Sequence, residues 1–179
     1  MITIYTIGHS TRPLDEFMAL LAAHGIRQLV DIRSIPRSRR HPHFSSDALS
    51  ASLRDAAIVY RHSPGLGGLR KPRPDSRNTA WRVEGFRGYA DYMETEAFRA
   101  ALDELVAAAR DLPTAIMCAE AVWWRCHRQL VADALVARGI SVRHITTTST
   151  GSSGRSAPEH TLTDFAQVAD GLVTYRSLL

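Results

Sequence analysis

The feature that most constrains the fold is an alternation of short apolar runs with segments of helical periodicity. Residues 2–7 form a β-branched and aromatic run that ends at Gly8, and residues 13–25 carry apolar side chains at helical spacing. Residues 28–33 form a second short apolar run, which is typical of a buried parallel strand reached by a right-handed crossover. The chain is therefore predicted to open with a βαβ unit.

The same alternation continues along the chain. Further strands are predicted at residues 58–60, 114–118 and 141–146. Helices are predicted at residues 46–56, at 86–110 with a break near 94–96, and at 123–138. This order predicts a mostly parallel α/β sheet of about five strands with helices on both faces, a Rossmann-like three-layer sandwich.

The remaining residues are predicted to complete one α/β domain that covers residues 1–179. A Ser/Thr/Gly-rich segment at 146–158 leads to a predicted amphipathic C-terminal helix at 163–179. With 45% hydrophobic residues and a mean hydropathy of -0.15, the chain can bury a core without metals or disulfides. Two cysteines, no basic leader and no bilayer-length apolar run predict a cytoplasmic protein outside the membrane.

Positive charge is concentrated in one part of the chain. The net charge is +4, but residues 33–87 hold twelve Arg/Lys against four acidic residues, so this segment alone is +8. All the basic residues except Lys71 are arginine, whose planar fork suits bidentate contact with phosphate or carboxylate. The clustering predicts an anionic ligand, either a small molecule or a nucleic acid.

Reactive or charged side chains end three of the predicted strands. They are His9 and Ser10 after the first, Asp31 and Arg33 at the second, and Cys118 and Glu120 after the fourth. Ligands bind beyond the carboxyl ends of strands in open parallel sheets, so we expect these groups to meet at one edge.

Each of these groups has a chemical and a structural interpretation. Cys118 precedes a predicted helix whose dipole would lower a thiol pKa, so it is a candidate nucleophile, the alternative being an inert buried side chain. Glu120 and His9 are candidate acid/base groups, or else a helix-terminus charge and a turn residue. Asp31 is a candidate catalytic group, although it shares one side of a strand with Arg33, where a mutual salt bridge is the alternative.

The neighbouring residues divide between ligand contacts and packing. Ser10 is either an anion contact or an N-cap, and Gly67 and Gly68 permit close backbone approach to a ligand. Cys126 falls on the apolar stripe of the predicted helix 123–138, which predicts core packing. The cysteines and Glu120 do not follow a zinc-ligand pattern, so no metal site is predicted, and the cofactor and oligomeric state stay open.

Several motifs occur together in a fixed order. They are Thr6-Ile7-Gly8-His9-Ser10-Thr11; Leu29-Val30-Asp31-Ile32-Arg33 with Pro36 and Ser38-Arg39; Leu66-Gly67-Gly68; Tyr89-Ala90 and Tyr92-Met93; and Met117-Cys118-Ala119-Glu120 with Cys126-His127-Arg128. In this set the chain resembles the domain-of-unknown-function 488 family over nearly its whole length up to His144. The resemblance implies the same fold and site residues, among them Arg128 as an anion contact, and it implies no particular reaction.

Two functions of different classes follow. The first is an enzyme acting on a phosphorylated or otherwise anionic, nucleotide-like substrate, with Cys118 as nucleophile or redox thiol. Arg33, Arg37, Arg39 and Arg128 would bind the anion. The alternative is a non-catalytic nucleic-acid-binding module that uses the Arg-rich segment 33–87. A scaffold that binds protein partners through the C-terminal helix is a third hypothesis.

Overall fold

Five short parallel strands form the central sheet of the protein, a computed structural model that describes residues 2–146 and 157–177. They are β1 (Thr3–Gly8), β2 (Gln28–Asp31), β3 (Val59–His62), β4 (Thr114–Cys118) and β5 (Ser141–His144). Their order across the sheet is β3-β2-β4-β1-β5. The predicted parallel sheet is confirmed.

Helices cover both faces of this sheet. The first face carries α1 (Leu14–Ala23) and α2 (Ser46–Asp55), and the second carries α3 (Glu84–Met93), α4 (Glu96–Asp111) and α5 (Arg128–Val136). Successive side chains of a strand point to opposite faces. On β4, Met117 packs with Phe17 of α1, whereas Cys118 lies in the core with α3, α4 and α5. The predicted three-layer sandwich is therefore confirmed, as is the predicted break between the third and fourth helices.

The carboxyl ends of β1 and β4 form a topological switch point. The two strands are neighbours in register, with Gly8 opposite Cys118. The chain leaves β1 toward α1 on one face and leaves β4 toward α5 on the other, which opens a crevice between the diverging loops. The loops cross closely, because a Cβ on Gly8 would lie 1.8 Å from the backbone oxygen of Glu120. Only glycine fits at this position.

The predicted C-terminal helix at 163–179 is wrong. The structure has an antiparallel hairpin there, β6 (Gln167–Ala169) and β7 (Leu172–Thr174). Asp170 and Gly171 between them both have positive φ, 52° and 72°, as a two-residue type I′ turn requires. The Asp-Gly pair is a strong hairpin signal, and it decides the local structure against the helical spacing of the apolar residues. Residues 147–156 and 178–179 lie outside the described residues.

A buried polar cluster joins the segment after β5 to the sheet and to α5. Asp133 of α5 accepts hydrogen bonds from Thr163, from the Tyr175 hydroxyl at 2.7 Å and from His160 Nε2 at 2.9 Å. The chain of contacts continues from His160 Nδ1 to His144 Nε2 at 3.0 Å. Because each of these buried groups has a partner, the cluster fixes the C-terminal segment on the second face.

Within residues 2–146 and 157–177, no helix combines the length and the apolar character needed to cross a membrane.

A candidate thiol site at the carboxyl ends of the strands

A cleft of about 330 Å³ opens at the switch point, and we call it the cysteine cleft. Six of the predicted site residues line it: His9, Arg33, Arg37, Gly68, Cys118 and Glu120. Cys126 and His127 also line it. Helical periodicity predicts core packing for Cys126, and nothing in the sequence pattern predicts a role for His127. The sheet thus brings three strand ends to one cleft.

The predicted helix 123–138 is wrong over its first turn, and this difference places Cys126 in the cleft. Trp123–Arg125 form a short 3-10 turn, Cys126 is extended with φ -143° and ψ 172°, and α5 begins only at Arg128. Arg128 reaches back to the backbone oxygens of Glu120 and Ala121, which holds the preceding loop in a non-helical path. No Ser, Thr, Asp or Asn cap precedes Trp123, and this missing start signal was readable in the sequence.

The sulfur atoms of the two cysteines lie 3.2 Å apart, and both thiols are free. Cys118 is buried at the end of β4, with 3% of its surface exposed. Cys126 is half-buried, packs against the core and lines the cleft. The cleft therefore has a buried and a partly exposed cysteine side by side.

The two thiols differ in acidity. The pKa of Cys126 is lowered to about 6 by the hydrogen bond from Cys118, and then by the positive charge, the Nε–H and the backbone N–H of Arg128, while burial opposes the shift. Arg128 Nε lies 3.1 Å from Cys126 Sγ. The pKa of Cys118 is raised well above its ordinary value because it donates to Cys126 and is buried. The sequence predicts for Cys118 a position next to a helix N-terminus, which would lower its pKa. In the structure Cys126, and not Cys118, lies next to the N-terminus of α5.

Arg128 occupies a position beneath the cleft rather than in its lining. Only 1% of its surface is exposed. Its donors reach Cys126 and the backbone oxygens of Glu120 and Ala121. Arg128, which the family resemblance predicts to contact an anion, therefore contacts the sulfur of Cys126 in the structure.

Arg33 is held in the cleft wall by Asp31. Its Nε and Nη2 bind the two carboxylate oxygens at 2.9 and 2.6 Å, and Nη2 also donates to the backbone oxygen of Phe44. Tyr60 donates its hydroxyl to the same carboxylate at 2.7 Å. Asp31 itself is fully buried and does not line the cleft. Of the two interpretations of Asp31 and Arg33, a ligand contact or a mutual salt bridge, the structure shows the salt bridge.

Two neutral histidines stand in the cleft wall. Burial lowers the pKa of His9 to about 4, with a smaller contribution from Arg33. His9 Nδ1 donates to the backbone oxygen of Ser10, and Nε2 lies 3.3 Å from Arg33 Nη1. Burial also lowers the pKa of His127 to about 4, and its Nε2 donates to the backbone oxygen of Ile32. At neutral pH both rings are therefore uncharged.

The two predicted glycines act through close packing. A Cβ on Gly68 would lie 3.0 Å from His127 Nδ1, and one on Gly67 would lie 2.6 Å from Ser34 Oγ. Gly67 has φ -66°, so close approach, and not positive φ, explains this glycine. Gly68 lines the cysteine cleft and Gly67 does not.

A second cleft, of about 480 Å³, adjoins the first, and we call it the arginine cleft. The two share five lining residues: His9, Arg37, Ser38, Ala119 and Glu120. The predicted contacts Ser10 and Arg39 line the arginine cleft together with Arg40. Arg37, Arg39 and Arg40 are all exposed, so three cations line the arginine cleft beside the cysteine cleft.

Apolar side chains are exposed where the cysteine cleft meets solvent. Leu69 is 87% exposed and Ile35 is 64% exposed, and both line the cleft. Leu69 also has φ 60°, a left-handed conformation that is strained for a residue with a branched side chain. Such strain and exposure are characteristic of a surface that contacts a ligand.

Part of the positive charge of segment 33–87 is neutralised within the fold. Arg73 and Arg77 both pair with Glu94, as Arg33 pairs with Asp31. These ion pairs leave fewer cations for a nucleic-acid backbone than the sequence count implies. In the part of the chain that the structure describes, no group of three His, Cys, Asp or Glu side chains is placed to hold a metal ion.

The fold and the site define an α/β protein with a cysteine pair at its topological switch point. The chain belongs to the family described as domain of unknown function DUF488, whose model matches residues 13–135. The match includes both cysteines and Arg128, and it excludes His9 and the C-terminal hairpin. No curated protein and no solved structure matches the chain.

Proposed function

We propose that the protein is an enzyme that acts on an anionic substrate in the cysteine cleft, with the Cys126 thiolate as its nucleophile. One observation carries the proposal: Cys126 Sγ lies within hydrogen-bond distance of both Cys118 Sγ and Arg128 Nε, at 3.2 and 3.1 Å, in a cleft open to solvent. The thiolate is the reactive form of cysteine, and a cation with a helix N-terminus stabilises it.

The surroundings of the thiolate favour a phosphate- or carboxylate-bearing substrate. Arg37 lines the cysteine cleft, and Arg39 and Arg40 line the arginine cleft that adjoins it. Exposed arginines can bind such groups with two parallel hydrogen bonds. The exposed side chain of Leu69 offers an apolar surface for the uncharged part of a nucleotide-like molecule.

Two further titratable groups, Glu120 and His9, line both clefts. Glu120 is exposed and lines both clefts. His9 is neutral at pH 7, because burial lowers its pKa, and it lines both clefts as well. In the proposed enzyme Glu120 exchanges protons with the substrate, and His9, which faces Arg33 Nη1 through its Nε2, helps to position Arg33.

The test is alkylation by iodoacetamide at pH 7, followed by peptide mapping. We expect Cys126 to be modified before Cys118, and we expect inorganic phosphate and adenosine monophosphate to slow the modification. Arg37→Ala should raise the half-protecting phosphate concentration by about tenfold or more, the effect of losing one charge-assisted hydrogen bond.

Arg110→Ala is the matched control, because Arg110 is exposed on α4 and lies before β4, at the opposite edge of the sheet. Modification of Cys118 first, or alkylation of Cys126 that is indifferent to both anions, would contradict the proposal.

A further inference from the structure

The paired sulfurs point to a reaction. We infer that the protein catalyses thiol–disulfide exchange with an anionic low-molecular-weight disulfide, through a reversible Cys118–Cys126 disulfide. The inference rests on the proposed function, because the same Cys126 thiolate makes the attack. The two sulfurs are 3.2 Å apart, and a disulfide bond of about 2.05 Å needs them to approach by roughly 1 Å more.

The two cysteines differ in their exposure to the cleft. This difference indicates which thiol attacks first and which one resolves the mixed disulfide. Cys126 is half-buried and lines the cleft, so an incoming disulfide reaches it. Cys118 is 3% exposed and lies at the end of β4, where a bulky reagent meets it last. Cys126 is therefore the attacking thiol and Cys118 the resolving thiol.

The exchange proceeds in two displacements. The Cys126 thiolate attacks one sulfur of a disulfide RSSR, so that a Cys126–S–SR bond forms, the R–S–S–R bond breaks and one thiolate RS⁻ leaves. Cys118 then gives its proton to the departing RS⁻, attacks Cys126 Sγ and releases the second RS⁻, which takes a proton from water. In sum, two protein thiols are oxidised to one disulfide, and RSSR is reduced to two RSH. A second dithiol, reacting in the reverse direction, restores the reduced protein.

The environment of Cys126 favours turnover over a permanent crosslink. Arg128 is buried and bound to the thiolate, so it stabilises the reduced form of the pair. A dithiol whose reduced form is stabilised makes an oxidising disulfide, one that is readily reduced again. These arginines select disulfides that carry carboxylates, because Arg37 lines the cysteine cleft beside Cys126 and Arg39 lines the arginine cleft that adjoins it.

The first experiment counts the products with dithiobis(nitrobenzoate), an anionic aromatic disulfide. The reduced wild-type chain should release two nitrothiobenzoate ions and gain no adduct, with a mass lower by two hydrogens. Cys118→Ser and Cys118→Ala should each release one ion and keep the mixed disulfide on Cys126. Cys126→Ser should react at least about tenfold more slowly, because the remaining thiol is protonated and buried.

The second experiment tests the substrate class by comparing oxidised glutathione, which is anionic, with cystamine, which is cationic. We expect oxidised glutathione to oxidise the wild-type pair about tenfold faster or more. The preference should fall in the double variant Arg37→Ala/Arg39→Ala. It should persist in Arg27→Ala/Arg110→Ala, which removes two exposed arginines from the opposite edge of the sheet.

The outcomes separate this inference from the proposed function. A wild-type chain that reacts rapidly at Cys126 but retains the mixed disulfide overturns the inference and leaves the thiolate nucleophile in place. Slow reaction at Cys126, or faster reaction at Cys118, overturns both. A disulfide that forms equally fast with cystamine overturns the anionic substrate class.

Discussion

Arg128 donates its Nε–H to the sulfur of Cys126 across 3.1 Å, from a site where 1% of the arginine is exposed. A guanidinium buried to this degree needs a matched negative charge, since an unpaired buried ion is strongly unfavourable. Here the nearest candidate for that charge is a thiolate. Arginine and cysteine therefore stabilise each other's charged forms.

The pH dependence of alkylation tests this relationship. In the wild type the rate at Cys126 should rise with a midpoint near its pKa of about 6 and level off above it. Arg128→Met should move the midpoint upward by about 1 to 2 pH units, because the charge and its hydrogen bond are lost. Arg128→Lys should give an intermediate shift, since the charge stays and the planar donor is lost. Arg125→Ala, at an exposed neighbour, is the control, and an unchanged midpoint in a folded Arg128→Met chain would contradict the assignment.

Stability should fall as the pH is lowered from 6.5 toward 4. Burial lowers the pKa of His9 and His127 to about 4 and that of His144 to about 3, from the ordinary 6.5. Between these values the unfolded chain binds protons that the folded chain does not, so each histidine makes unfolding easier by up to about 1.4 kcal/mol per pH unit. Urea unfolding at several pH values measures how steeply the free energy of unfolding changes with pH. His144→Gln should flatten the dependence of the unfolding free energy on pH, and an unchanged dependence in this variant would contradict the assignment to the buried ring.

Asp31→Asn should destabilise the protein by about 3 to 5 kcal/mol, because it leaves the buried Arg33 without its counter-charge. Tyr60→Phe removes one hydrogen bond to the same carboxylate and should cost about 1.5 to 3 kcal/mol. Asp47→Asn on the surface of α2 is the control. Denaturant unfolding gives the three values, and an Asp31→Asn chain as stable as the control would show that the ion pair does not hold Arg33.

Gly8→Ala should be severely destabilising and should also slow alkylation of Cys126. The new Cβ meets the Glu120 backbone oxygen at 1.8 Å, and this oxygen is one that Arg128 binds. Gly85→Ala is the matched control, because a methyl group added near the start of α3 would have nothing within 4 Å. That change should be neutral or stabilise by about 0.5 to 1 kcal/mol. Equal thermal midpoints for the two variants would contradict the close crossing of the loops.

The sheet could be predicted from the sequence because buried parallel strands are short apolar runs separated by helical segments. β2 and β4 are buried along their whole length, and their residues show it directly. The convergence of His9, Arg33 and Cys118 followed from the same rule, since the carboxyl ends of parallel strands share one edge.

The position of Cys126 could not be predicted by helical periodicity, because long-range contacts decide it. Arg128 binds backbone oxygens of the preceding loop, and His127 donates to Ile32, which follows β2. Because of these contacts α5 begins only at Arg128, and Cys126 lies beside Cys118. The hairpin after residue 163 is different, because the Asp-Gly pair that forms its turn is a local signal present in the sequence.

The contacts of Asp133 join two segments of the chain that are synthesised at different times. A ribosome makes α5 and residues 119–127 before it makes His160, Thr163 and Tyr175, the residues that donate to Asp133. The ring of Trp123, three residues before Cys126, stacks on the ring of His144 with the two centroids 3.9 Å apart. His144 is in turn hydrogen-bonded to His160. The nascent chain therefore carries α5 and residues 119–127 without the contacts of the C-terminal segment until residue 175 has emerged, so this part of the second face is completed late in synthesis.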